Sequence, residues 1–294
     1  MVDASVRPST RAGPGSMPVE TVSAADLGAG RVDAFTRALK AGVSRGWRPV
    51  ILPLATALAC LAAWEAYVRV RRVPSAILPP PTEVLETLIA VRGLLIEHAW
   101  PTTVETVLGF LLAAVVGIVV AIAITYSQPI REALYPLLVV FQLIPKVALA
   151  PLFIVWLGIG SSSRLTFALF ISFFPVVIST AAGLINVDRY MIRLARSLTA
   201  TDWQIFVRIR FPGALPHIFS GLKIAVTLSI IGVIVGEFIT SQAGLGYLII
   251  FATSRAETAA IMAAIIVLCV IGLVLYGGVA LAERFMLRWY HGDQ

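Results

Sequence analysis

Two cysteines, three histidines and 13% charged residues are all that this 294-residue chain contains of the side chains most chemistry needs. Each scarcity closes a class of function. Cys60 and Cys269 fall inside long apolar runs, so they read as small packing residues and not as a disulfide or a metal pair. His98, His217 and His291 stand far apart, no metal-ligand spacing occurs, and no nucleophile lies in a recognisable catalytic motif. Lysine is equally scarce: Lys40, Lys146 and Lys223 are the full set, and none follows glycine in a Gly-Lys-Ser/Thr phosphate loop. The chain is therefore expected not to be an enzyme, to hold no metal or cofactor, and to hydrolyse no ATP itself. Residues 1–48 lack an apolar core of signal-peptide length and are rich in Ser, Pro, Ala, Gly and Arg. They read as a disordered cytoplasmic tail.

What the chain has in quantity is apolar surface. Hydrophobic residues make up 59% and mean hydropathy is +0.91, outside the range of an ordinary soluble domain. The expectation is an all-α polytopic membrane protein in contact with lipid, with about six transmembrane helices near 49–68, 102–125, 133–158, 165–185, 217–240 and 259–282, and a short tail at 289–294. A net charge of +7 invites a nucleic-acid reading, but the basic residues are dispersed among loops with no aromatic interleaving, which argues against it. Membrane orientation accounts for the charge better. With the tail inside, the inner segments carry fifteen Arg and Lys against six outside, which puts both termini in the cytoplasm. The Arg69, Arg71, Arg72 cluster runs against that excess.

Along the chain, Glu65 is expected at the membrane interface, and 78–97 reads as an amphipathic helix lying on the outer surface, apolar at Val84, Leu85, Leu88, Ile89 and Leu95. The second span carries Gly109, Ala113, Gly117 and Ala121 at every fourth position, a stripe that lets another helix approach closely. In the third span Pro136, Pro145 and Pro151 each remove a backbone donor, and Lys146 adds a charge. A broken helix bearing a cation is tolerated at membrane depth where it faces protein or a wet cavity. Gln142, Pro145 and Lys146 are therefore candidate residues of a translocation path; a snorkelling Lys146 is the competing reading. Lys223 is expected to snorkel toward the cytoplasm. Glu237 has two readings, a path residue facing partners or water near the outer mouth and a salt-bridged structural carboxylate. Residues 241–257 read as an outer loop with a Gly-x-Gly turn, and 283–294 as a polar end.

The only long polar segment between the first and last spans is 186–216, NVDRYMIRLARSLTATDWQIFVRIRFPGALP, with five arginines. Its local physics predicts a helical hairpin. Asp188 is a plausible N-cap for a helix over 189–198 that stops near Thr199. Thr201 to Gln204 has the Thr-x-x-Gln spacing of a capping box and starts a second short helix, which Pro212, Gly213 and Pro216 are expected to end. Leu198, Trp203, Ile205 and Phe206 offer an apolar knob flanked by Arg193, Arg196, Arg208 and Arg210. Two readings stand on physics alone: a basic loop touching anionic headgroups, or a docking element for a partner.

The same stretch resembles the EAA loop of ABC-importer permeases, Glu-Ala-Ala-x-x-x-Gly followed ten residues later by Ile-x-Leu-Pro, which docks in a groove of the ATP-binding subunit. Its Ile-x-Leu-Pro end falls on Ile209, Phe211 and Pro212 and its second Ala on Ala195; the Glu position is Arg193, the first Ala is Leu194, and the Gly position is Thr199. The runs FQLIPKVALAPLFIVWLGIGSSSR, FFPVVISTAAGLINVD and GEFITSQAGLGYLI are similar to the branch handling nitrate, sulfonates and taurine, over about 73–288. The resemblance implies a MetI-like permease core of the bacterial plasma membrane, working as a homodimer with two ATP-binding subunits and an external solute-binding protein. It further implies coupling through Arg193, Leu194, Ala195, Arg196, Ser197, Thr199, Ala200, Trp203, Ile209 and Pro212. A small anionic solute is expected, with a pyrimidine-like or aromatic solute as the alternative. An ion-coupled carrier, for which Glu237 is the best coupling carboxylate, is the alternative from another class.

Overall fold

The computed structural model describes residues 48–240 and 242–288; the predicted tails, up to residue 47 and from 289, lie outside them. Among the described residues every regular element is helical. In chain order these are α1 (Arg48–Arg71), α2 (Pro81–Ala90), α3 (Arg92–Tyr126), α4 (Gln128–Leu143), a 3-10 turn (Lys146–Leu149), α5 (Ala150–Leu157), α6 (Ser161–Ile185), α7 (Arg189–Ser197), α8 (Asp202–Ile205), a π turn (Phe206–Arg210), α9 (Phe211–Thr240), α10 (Leu245–Ser254) and α11 (Thr258–Met286). The chain divides into two units, one through Ala63 and one from Trp64. Within the first, the described residues belong to α1. Among the described residues five helices are long and apolar enough to cross a membrane, and a sixth span results if the bent pair formed by α4 and the run Lys146–Leu157 counts as one.

In the second unit α6 packs against both α3 and α9, and these three helices form its centre. The small-residue stripe does what its spacing predicts: Gly109, Ala113, Gly117 and Ala121 are all buried. A Cβ at Gly109 would come within 2.9 Å of the Ala168 Cβ, and one at Gly232 within 2.7 Å of the Ala168 Cα. α3 and α9 thus converge on Ala168 of α6 so closely that only glycine fits, the contact on which packing in lipid depends. Ser229 Oγ donates to Thr106 O at 2.9 Å and fastens α9 to α3.

Several boundaries differ from the sequence expectation, each for a physical reason. Residues 78–97 are not one surface helix. The chain breaks at Val91, and from Arg92 onward it is already α3, a 35-residue helix roughly 50 Å long that outreaches the ~30 Å hydrocarbon layer. Val84 and Leu95 are buried while Leu85 and Ile89 are exposed. Glu65 accepts from the backbone of Thr82 at 3.2 Å and from its hydroxyl at 2.9 Å, so its carboxylate caps the start of α2, beside Arg69 at 2.5 Å.

Residues 241–257 are mostly helix, since α10 occupies Leu245–Ser254. The last helix runs on to Met286, which brings Glu283 level with α9. There Lys223 Nζ donates to Glu283 Oε2 at 2.7 Å, so Lys223 is paired with a carboxylate of the neighbouring helix. Cys60 and Cys269 are free and exposed, not packing residues; Cys269 lies on α11 near exposed Leu273 and Val274.

The hairpin also exits differently. Pro212, Gly213 and Pro216 do not end its second arm: α8, the π turn and α9 run on as one rod over Asp202–Thr240. Pro212 has no N–H for the carbonyl four residues back, and its ring crowds that carbonyl. The widened turn resolves this, with the Phe211 N–H bonding Phe206 O five residues earlier.

Candidate functional site

The hairpin is built from strong local signals. Asp188 accepts from the Tyr190 N–H at 2.7 Å and caps α7. At the other end of α7 the Ala200 N–H bonds Ala195 O and the Thr199 N–H bonds Arg196 O, each at 3.0 Å, the paired pattern of a Schellman motif. The residue this motif places in the left-handed region is Thr199, at φ 59°, where glycine is the usual occupant. The chain then enters a complete capping box: the Gln204 N–H donates to Thr201 Oγ1 at 3.3 Å and the Thr201 N–H to Gln204 Oε1 at 2.9 Å.

This geometry sorts the predicted coupling residues. Ala195, Thr199, Ala200 and Ile209 line one cavity of about 380 Å3 inside the elbow, with Arg208 on its wall. Ile209 and Pro212 also border a second cleft of about 360 Å3 between the arms. Leu194, Leu198 and Trp203 project outward at 62, 72 and 69% exposure, a large uncovered apolar area on an arginine-rich hairpin. Arg193 stacks over the Tyr190 ring at 4.6 Å. Arg196 reaches Asp202 at 3.4 Å, and the Ser197 hydroxyl bonds Leu194 O. Behind the elbow Phe206 is buried with Leu184, Leu215, Phe219 and Leu287. It stacks on Trp203 at 5.9 Å and meets the Tyr126 ring edge-on at 5.3 Å, so the elbow is wedged between the roots of three long helices.

The candidate path residues fall into two groups. Gln142, Pro145 and Lys146 lie at the break in the third span, where α4 and the run Lys146–Leu157 meet at 91°. Gln142 and Pro145 are exposed and Lys146 is half-buried. The Lys146 ammonium sits 5.2 Å over the Phe174 ring and has no carboxylate partner among the described residues. Glu237 is elsewhere, 2% exposed. It accepts from Thr102 Oγ1 at 2.6 Å and from the Gly246 N–H at 2.7 Å.

Around Glu237 is a polar cluster that sequence reasoning missed. Glu105 and Arg164 form a fork-to-fork pair at 2.7 and 2.5 Å, with side chains only 9 and 13% exposed. The first amides of α10 are satisfied from other helices: Gly244 N–H by His98 Nδ1 at 3.1 Å, Leu245 N–H by Thr102 Oγ1 at 2.9 Å, Gly246 N–H by Glu237. One signal was available, because a carboxylate at position 105 inside an apolar span demands a partner. Its partner lies 59 residues away, too far along the chain for local spacing to show.

Comparison with known proteins agrees with this architecture. The family model of binding-protein-dependent transport system inner membrane components matches residues 107–288. A probable ABC transporter permease protein of Haemophilus influenzae is 34% identical over 238 residues, covering 81% of this chain and 97% of that protein. The formylaminopyrimidine transport permease protein ThiX of Halalkalibacterium halodurans is 31% identical over 79% of this chain and 93% of its own length. For the taurine transport system permease protein TauC of Escherichia coli the values are 30%, 84% and 92%. A chain of the MetNI methionine ABC transporter, solved in inward-facing conformations, shares the fold at a TM-score of 0.58 and 17% identity, over 67% of this chain and 98% of its own. The chain belongs to the binding-protein-dependent transport system inner membrane components: it is a MetI-type permease subunit of an ABC importer and a multi-pass protein of the bacterial plasma membrane.

Proposed function

We propose that this permease forms half of a solute path as a homodimer, carries no ATPase site of its own, and couples to two ATP-binding subunits through the 186–216 hairpin. ATP would be bound by those partners, and an external solute-binding protein would deliver the solute. The observation that carries the reading is the elbow itself. It presents exposed Leu194, Leu198 and Trp203 beside a lined cavity, and its second arm is continuous with membrane helix α9. A push on such an elbow is transmitted through a rod, and Phe206 against Tyr126 carries it also toward the start of the bent span.

The solute reading rests on Lys146, a cation without a carboxylate partner among the described residues, at the break of the one sharply bent span. That favours a small anion of the nitrate, sulfonate or taurine kind. A planar aromatic solute is the second reading, because Phe141, Phe170 and Phe173 gather on Phe174 beneath the same ammonium, and one relative is named for a formylaminopyrimidine.

The test is uptake by vesicles holding the permease, its ATP-binding subunit and its binding protein. Ala195→Glu and Thr199→Glu are expected to abolish both co-purification of the ATP-binding subunit and ATP-dependent uptake; both surviving intact would remove the hairpin from the coupling role. In the same vesicles Lys146→Gln is expected to lower uptake of an anion, and unchanged uptake would favour the aromatic solute.

A further inference from the structure

Between the hairpin and the turn joining α3 to α4 lies a polar cleft of about 290 Å3, to which the hairpin and the start of the bent span both contribute arginine. Three guanidiniums reach it from three separate elements: Arg131 from α4, Arg196 from α7 and Arg210 from the π turn. Asp202 is the single carboxylate on its wall. Arg131 is pre-positioned, because its Nη2 donates to Thr125 O at 2.8 Å and its Nε to Ile124 O at 3.5 Å. Those two carbonyls belong to the last turn of α3, where no helical donor remains for them. Arg196 gives one bond to Asp202 at 3.4 Å. Arg210 has no side-chain partner among the described residues.

Arginine offers five donors in a planar fork, so most of the donors brought here are unspent. Gathering three cations around one carboxylate also leaves an excess of positive charge that an added anion would relieve. A lone carboxylate presents two oxygens in one plane and suits one fork, whereas a phosphate group presents oxygens in several directions and can meet forks arriving from three sides. The depth fits as well. The uncharged apolar run of α3 extends from Val107 to Ile124 and the helix ends at Tyr126, so its excess length falls at the other end and the cleft beside Tyr126 belongs at headgroup level.

We propose that this cleft binds a phosphate group, carried on a lipid headgroup or free as inorganic phosphate, and that the bound group ties the hairpin to the α3–α4 turn. Binding stands apart from the coupling reading; its effect on transport rests on that reading, since the tie would join the elbow to the start of the bent span.

The experiment uses the full chain, delipidated in a maltoside detergent that contains no phosphate, and without ATP-binding subunit. Phosphatidylglycerol is expected to be retained in native mass spectrometry where a galactosyl diglyceride of equal chain length is not. Arg210→Gln should lower that retention about tenfold, and Arg210→Lys, which keeps the charge and loses the fork, should fall between. Arg196, with its side chain 62% exposed, carries the same test as Arg196→Gln should the Arg210 variant fail to fold. If inorganic phosphate raises the unfolding midpoint and chloride at equal ionic strength does not, the free anion is a source; if phosphatidylglycerol alone acts, the source is lipid. Retention unchanged by the glutamine variants, binding of neither probe, or protection of the cleft that appears only with the ATP-binding subunit overturns the proposal. The last outcome would assign the arginines to a carboxylate of that subunit.

Discussion

Thr199 concentrates the tension between sequence and function at the scale of one residue. A β-branched side chain at φ 59° crowds the following carbonyl, and this conformation costs a non-glycine residue on the order of 1–2 kcal/mol. It is held because the Schellman bonds on either side require it, and because the Thr199 hydroxyl donates to Leu198 O at 2.7 Å. Thr199→Gly removes the crowding, while the greater freedom of glycine in the unfolded chain offsets part of the gain. The net expectation is a hairpin more stable by about 1 kcal/mol, seen as amide exchange roughly fivefold slower over 195–200. Exchange that is unchanged or faster would mean that the turn is not strained. The hairpin's caps were legible one residue at a time: Asp188, and Thr201 with Gln204, occupy the positions their side-chain chemistry predicts. The need for positive φ at 199 was legible only through resemblance, because threonine gives no local sign of it.

Elements are where sequence reasoning succeeded and failed most clearly. Proline foretold the break of the third span, where the chain turns through 91° beside Pro145, although Pro136 is carried inside α4 and Pro151 sits in the first turn of α5, where no donor is lost. Proline misled at 212, where one widened turn absorbs the defect and the helix continues. The stretch after Glu237 reads as loop in the sequence because its glycines look like turn residues. They are glycines because the Glu237 side chain occupies the space: a Cβ at Gly246 would lie 2.8 Å from the Glu237 Cβ, and one at Gly244 would land on its carboxylate. α10, only ten residues long, takes its N-terminal caps from other helices, a relation local sequence does not display. Glu237→Ala should therefore act on α10 specifically. It strips the Gly246 amide of its acceptor, at about 1–3 kcal/mol for a buried group left unsatisfied, while the Thr102 hydroxyl keeps His98 O as an acceptor at 3.2 Å. Amide exchange at 244–248 should accelerate far more than exchange in the α3 and α6 centre; equal acceleration in both would show that Glu237 supports the whole unit and not this cap.

For the whole molecule, orientation is the property that decides whether the hairpin can meet a cytosolic motor. Charge counting supplies it only through an inequality of fifteen against six, part of which is already committed to structure. Arg164 is paired with Glu105, Arg69 with Glu65, and Arg131 caps α3, so these charges report packing as well as topology. The exposed tip of the elbow allows a direct measurement. Leu198 is 72% exposed, and Leu198→Cys would place a thiol there. Cys60 and Cys269 are exposed too, and both must first be made serine so that only the tip reports. In intact cells a membrane-impermeant maleimide is expected to leave the thiol at 198 unlabelled, and in inverted vesicles to label it. Added ATP-binding subunit should then protect it in the vesicles, because the apolar tip it covers is the surface the elbow presents. Labelling from outside would turn the hairpin away from any ATP-driven partner. The buried carboxylates Glu105 and Glu237 would then be the groups through which an ion-coupled mechanism had to work.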